Sequence, residues 1–214
     1  MRTRGVGVLL VCFAYTVARG DDKTPPPAAA AKGYELRVVA VGDIYHGIRF
    51  KPTTGESWKI LAGKWEKLDE AAAPPAGDYE IIIIPAESLL AVRFDKTSGA
   101  TWLLQNGKWT AIKEPPAKPG APKPPAPGPG FAMRHIAVGD QLHIVRFHTK
   151  TGATWHIRGD TFEPLAEFGK VPAGEFDLTL IASKKDWMGF RLDRKAGTTW
   201  VLQANVWQEV TEPE

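Results

Sequence analysis

Cysteine is almost missing from this chain: among 214 residues the one Cys is Cys12, inside an apolar run near the start. A disulfide framework is therefore excluded, and any fold must be held by packing alone. Long hydrophobic runs are missing as well. The stretch from Val6 to Val17 is too short to cross a bilayer, which takes about 20 apolar residues, so no membrane span is expected. Charge of one sign is the third absence. The chain has 27 Lys and Arg against 24 Asp and Glu, and three of the basic residues, Arg2, Arg4 and Arg19, lie in the first twenty positions. Without them the two signs balance, which removes the excess of cationic groups that nucleic acid or an anionic surface demands. Finally, no stretch repeats its apolar residues every 3.6 positions over the length of a helix, and Pro and Gly punctuate every gap.

What is present begins with a leader. Arg2 and Arg4, the apolar run and then Ala18-Arg19-Gly20 have the layout of a secretory signal peptide, with cleavage expected after Gly20 and a secreted or periplasmic product. Acylation of Cys12 would call for a small residue before it, where Val11 stands. Residues 21–33 carry Thr, Pro, Ala and charge, too little apolar surface to fold. Residues 114–130 read EPPAKPGAPKPPAPGPG, a polyproline-type spacer between two halves. The halves align. Ala40-Val41-Gly42-Asp43 superposes on Ala137-Val138-Gly139-Asp140, His46 on His143, and, after one inserted residue, Arg93 to Trp109 on Arg191 to Trp207.

The dominant pattern is a motif with nine positions from Arg to Trp, occurring at Arg49 to Trp58, Arg93 to Trp102, Arg146 to Trp155 and Arg191 to Trp200. Repetition at this spacing defines four units, 34–77, 78–113, 131–174 and 175–214. Each opens with a β-branched and aromatic run, such as YELRVVAV or YEIIII. The Arg strand, a hairpin loop with Gly in the left-handed position (Gly55, Gly99, Gly152 and Gly197), the Trp strand and a short fourth strand follow. If Asp95 and Ala100 close the loop, the antiparallel ladder sets Arg93 opposite Trp102 on one face, with Phe94 on the other. The same count pairs Arg49 with Trp58, Arg146 with Trp155 and Arg191 with Trp200. These pairs are the candidate binding residues, as register-fixing core contacts or as exposed platforms for sugars or cationic groups. Trp187 joins them, because the other half has Leu90 there and no Trp.

The Asp-x-x-Thr-Gly-x-[Ser/Thr]-Trp core of the motif, best matched from Phe94 to Trp102 with Ser98 in place of Thr, resembles short repeats in small exported bacterial proteins of unassigned function. That resemblance covers most of the ordered chain and implies no activity. Units one and three depart from it, with Lys51 and His148 at the Asp position.

No catalytic signature accompanies the repeats. There is no G-x-S-x-G, and the Ser or Thr before each Trp is an ordinary strand residue. His135, His143, His148 and His156 crowd the third unit, but His148 and His156 point to opposite faces of the ladder. No metal, cofactor or catalytic residue is expected. The fold expected is all-β: four antiparallel meanders arranged as two duplicated barrel or sandwich domains, 34–113 and 131–214, with a single four-bladed propeller as the alternative. The 17-residue spacer favours two domains. The expected function is an exported, non-catalytic module binding a protein, a cell-wall polymer or another polysaccharide; the alternative is an extracytoplasmic hydrolase with dispersed catalytic residues.

Overall fold

The structure, a computed structural model, describes residues 33–114, 129–139, 141–183 and 186–211. The leader and most of the Pro-rich spacer lie outside the described residues. The rest is all-β, and each unit is a meander of four antiparallel strands. The first sheet is β1 (Glu35–Val41), β2 (Ile44–Phe50), β3 (Ser57–Leu61) and β4 (Lys64–Lys67). In the second, β6 (Tyr79–Ile84), β7 (Leu90–Asp95), β8 (Thr101–Gln105) and β9 (Lys108–Ala111) are joined at the edge by a short β5 (Asp69–Glu70). The third holds β10 (Phe131–Val138), β11 (Gln141–His148), β12 (Thr154–Arg158) and β13 (Thr161–Pro164). The fourth holds β15 (Phe176–Ala182), β16 (Trp187–Asp193), β17 (Thr199–Gln203) and β18 (Val206–Glu209), with β14 (Ala166–Glu167) added at its edge.

None of the four sheets closes into a barrel. They pack face to face in chain order instead. Ile48 and Phe50 of the first sheet meet Ile81, Leu104 and Trp109 of the second. Val92 and Phe94, on the other face of the second sheet, meet Met133, Trp155 and Phe162 of the third. Val145 and Phe147 then meet Leu178, Trp200 and Trp207 of the fourth. The middle core crosses from one half of the duplication to the other, so the halves share buried surface as well as a spacer. Each strand can serve two cores because successive side chains leave on opposite faces.

Two short strands give the row a direction. β5 leaves the end of the first sheet and pairs parallel with β9, Glu70 beside Trp109; β14 likewise leaves the third sheet to pair with β18, Glu167 beside Trp207. Between the second and third sheets the same step is a single parallel bridge, Lys113 to Thr161. Each of the first three units thus hands a short segment forward to the sheet that follows it.

The motif loops explain the tight register. Asp95 takes backbone N–H bonds from Thr97 and Ser98, and its amide donates to the Ala100 carbonyl, which closes the loop on Gly99 at φ +76°. Only a residue without a Cβ enters that conformation freely. Asp193 caps its own loop through Lys195 and also receives the Glu175 amide; these backbone donors hold its carboxyl below the usual range.

Candidate functional site

All four Arg and Trp residues of the motif are direct cross-strand partners: Arg49 with Trp58, Arg93 with Trp102, Arg146 with Trp155, Arg191 with Trp200. In the last three units the guanidinium is buried between two aromatic rings, that of the motif Trp and that of the fourth-strand residue. For Arg93 the ring centroids are 4.7 Å (Trp102) and 4.8 Å (Trp109) away; for Arg191 they are 4.8 Å (Trp200) and 4.7 Å (Trp207).

The head of each Arg reaches the preceding sheet. Arg93 donates to the Gly55 carbonyl at 2.8 Å and to Glu70 at 2.9 Å. Arg146 donates to the Gly99 carbonyl and to both oxygens of Glu114. Arg191 donates to the Gly152 carbonyl at 2.7 Å and to both oxygens of Glu167 at 2.7 and 2.8 Å. Each carboxylate sits on the segment handed forward from the unit before. Burial pushes the Arg93 guanidinium below its ordinary value while Glu70 pushes it back, the balance expected of a desolvated pair. The Nε of each of the four motif Arg residues is buried without a hydrogen-bond partner. Ring faces on both sides offset part of that cost. Trp109 Nε1 donates to Ser57 Oγ at 2.8 Å, and Trp207 Nε1 to Thr154 Oγ1 at 2.7 Å. Ser57 and Thr154, each just before its motif Trp, are therefore acceptors for the next sheet, whereas Thr101 faces Phe162, which has no N–H, and donates to the Gly99 carbonyl instead.

Arg49 differs. Its guanidinium lies 4.9 Å from Tyr34, 5.1 Å from Trp58 and 4.9 Å from Trp65, and among the described residues no hydrogen bond or ion pair reaches it. The guanidiniums of the last three pairs are thus buried in interior joints, although Trp102 is itself only half-buried, while Arg49 is partly exposed.

A cleft that reaches solvent lies between the third and fourth sheets, has a volume of about 560 Å³, and is lined by His143, His156, Arg158, Asp186, Trp187 and Asn205 among others. Trp187 stacks on His143 with centroids 5.1 Å apart and leans on His156 at 5.3 Å. His143 Nδ1 and His156 Nε2 are 3.4 Å apart, and Arg158 Nε donates to His156 Nδ1 at 3.5 Å. With Nδ1 accepting, neutral His156 carries its proton on Nε2 and donates to His143. Desolvation, then the neighbouring His143 and Arg158, hold His156 down to about 4. His143 is also lowered, by burial first, with Asp186 pulling the other way.

His148 and His156 do lie on opposite faces, the one below Phe131 and the other in the cleft. The His143 and His156 pair escaped the sequence reading. The ladder contained it: Val145 faces His156, so His143, two residues back, is its diagonal neighbour on the same face. The stacking of Trp187 had no such signal, because it comes from the next sheet. Counted back from the motif Arg, the structural counterpart of Trp187 is Leu89, not Leu90, since the extra residue of the fourth unit falls in the loop before it. His46 is equivalent to His143 and bonds the Ala86 carbonyl in the corresponding loop at 3.2 Å.

Among the described residues no group of His, Cys, Asp and Glu could hold a metal ion, and no helix is long and apolar enough to cross a membrane. Neither the known protein families nor the curated proteins contain a match to this chain.

Proposed function

We propose that this protein is an exported, non-catalytic binding module, and that the cleft beside Trp187 takes a sugar ring of a polysaccharide. The observation that carries the reading is the half-buried indole, braced by two imidazoles and rimmed by exposed Gln141, Arg158, Asp186 and Asn205. An indole face covers the apolar side of a pyranose, and side-chain amides, a carboxylate and a guanidinium pair with its hydroxyls. The layout of the leader supports export. For the hydrolase alternative two carboxyl groups would have to flank the scissile bond; among the described residues Asp186 is the one carboxylate lining this cleft.

A glycan array probed with the purified protein and with Trp187→Ala tests the reading. Loss of an aromatic anchor at the centre of such a site weakens binding by roughly tenfold or more. Equal binding by both proteins, or no glycan retained by either, overturns it.

A further inference from the structure

The three joints between sheets are built from one set of parts. The following sheet supplies an aromatic residue over the motif Gly, the motif Arg, and a fourth-strand aromatic. The preceding sheet supplies the Gly carbonyl and an apolar face in all three, and in the first and third joints a Ser or Thr hydroxyl that accepts from the fourth-strand indole. Tyr79 covers Gly55, Phe131 covers Gly99 and Phe176 covers Gly152, each so closely that a Cβ on the Gly would stand within about 3.3 Å of the ring.

The outer face of the first sheet is a complete but unused copy of the following half. Leu36, Val38, Arg49, Trp58, Ile60 and Trp65 share that face by register. Trp65 is 38 % exposed, where its equivalents Trp109 and Trp207 are 2 % and 0 %. Tyr34, which stands where Tyr79 does, is exposed.

The outer face of the fourth sheet is an unused copy of the preceding half. Phe190, Leu192 and Val210 occupy the places of Val145, Phe147 and Leu165. Val210 is 47 % exposed and Leu165 7 %. Gly197 has a positive φ like the other motif glycines, but among the described residues nothing stands within 4 Å of where its Cβ would be. Thr199 stands where Thr154 accepts from Trp207. In the sequence, Glu212 follows Trp207 by the same five residues that separate Glu70 from Trp65, Glu114 from Trp109 and Glu167 from Phe162; it lies outside the described residues.

We infer that the first sheet of one copy of this chain docks on the fourth sheet of a second copy, repeating between molecules the joint made three times within one. Arg49 then donates to the Gly197 carbonyl, Trp65 to the Thr199 hydroxyl, and Tyr34 covers Gly197. The occupant is a second copy because the two faces complement each other part for part and neither complements itself: Arg has no carbonyl opposite an Arg face. Such a contact is heterologous, so it propagates into a ring or a filament rather than stopping at a twofold dimer.

Sedimentation velocity over a wide concentration range tests this, using the wild-type protein, Arg49→Glu to block the first face and Leu192→Arg to block the last. Both substitutions sit on exposed or uncovered positions. Circular dichroism checks the fold, and Val38→Lys and Val210→Lys replace any variant that loses it. Wild type is expected to grow beyond a dimer with concentration. Each variant alone is expected to stay monomeric, and an equimolar mixture to give a one-to-one dimer through its two intact faces. A wild type monomeric throughout, a variant that still dimerises alone, or a mixture with no complex overturns the inference.

Discussion

Arg49 and Arg191 hold the same place in the same motif, each opposite its Trp, yet one has no polar partner among the described residues and the other has a carbonyl and a bidentate carboxylate. The difference is not in their own strands. It lies in what stands in front: Arg191 faces the third sheet, and Arg49 faces solvent. A repeat motif in this fold is therefore half of an interaction, and its energetic weight is set by the neighbour that completes it.

Four measurements by chemical denaturation sharpen the contrast. The largest effect is expected from Arg191→Met, which leaves Glu167 and the Gly152 carbonyl without their donor; breaking a buried pair this way costs about 3 to 5 kcal/mol, against about 1 kcal/mol or less for Arg49→Met. Next comes Gly99→Ala. Its φ is positive and a Cβ would lie 2.9 Å from the Phe131 ring, so strain and overlap together cost roughly 2 to 4 kcal/mol; Gly197→Ala meets nothing and costs roughly 1 kcal/mol. Equal losses at the two glycines would break the comparison.

The third is a pH profile. His156 falls from the ordinary 6.5 to about 4 when folded, so the unfolded chain takes up its proton first as the pH drops. Stability is then lost between those two values, by on the order of 3 kcal/mol, and no further below the lower one. His156→Gln should flatten that part of the curve; the first sheet has Lys59 at this position and contributes no such slope. The smallest effect is Trp207→Phe, which strands the Thr154 hydroxyl and costs roughly 1 to 2 kcal/mol, where Trp65→Phe should change stability by less than about 0.5 kcal/mol.

Much of the fold was legible because a strand has a period of two and a hairpin loop of known length fixes its register. Counting from Asp95 to Ala100 was enough to place Arg93 beside Trp102, and the alternation at Val92, Phe94 and Leu103 gave the opposite face. Which face was covered could not be counted, because every unit carries two apolar faces and only the order of packing distinguishes them. Glu70 and Glu167 were unreadable as Arg partners: each sits on a strand of two residues that pairs with the next sheet, too short to carry any pattern. The cleft was half legible. His143 and His156 lie on one ladder, while Trp187 meets them through space from another unit.

The forward-handed segments also fix an order of partners along the chain. Carbonyl and carboxylate for each interior guanidinium come from residues earlier in the chain, in the 93, 146 and 191 pairs alike. Each ribbon from the second onward is therefore preceded in the chain by the carbonyl and the carboxylate that its guanidinium binds. A circular permutant opening inside the row would reverse that order for at least one guanidinium, leaving its partners downstream of it in the chain.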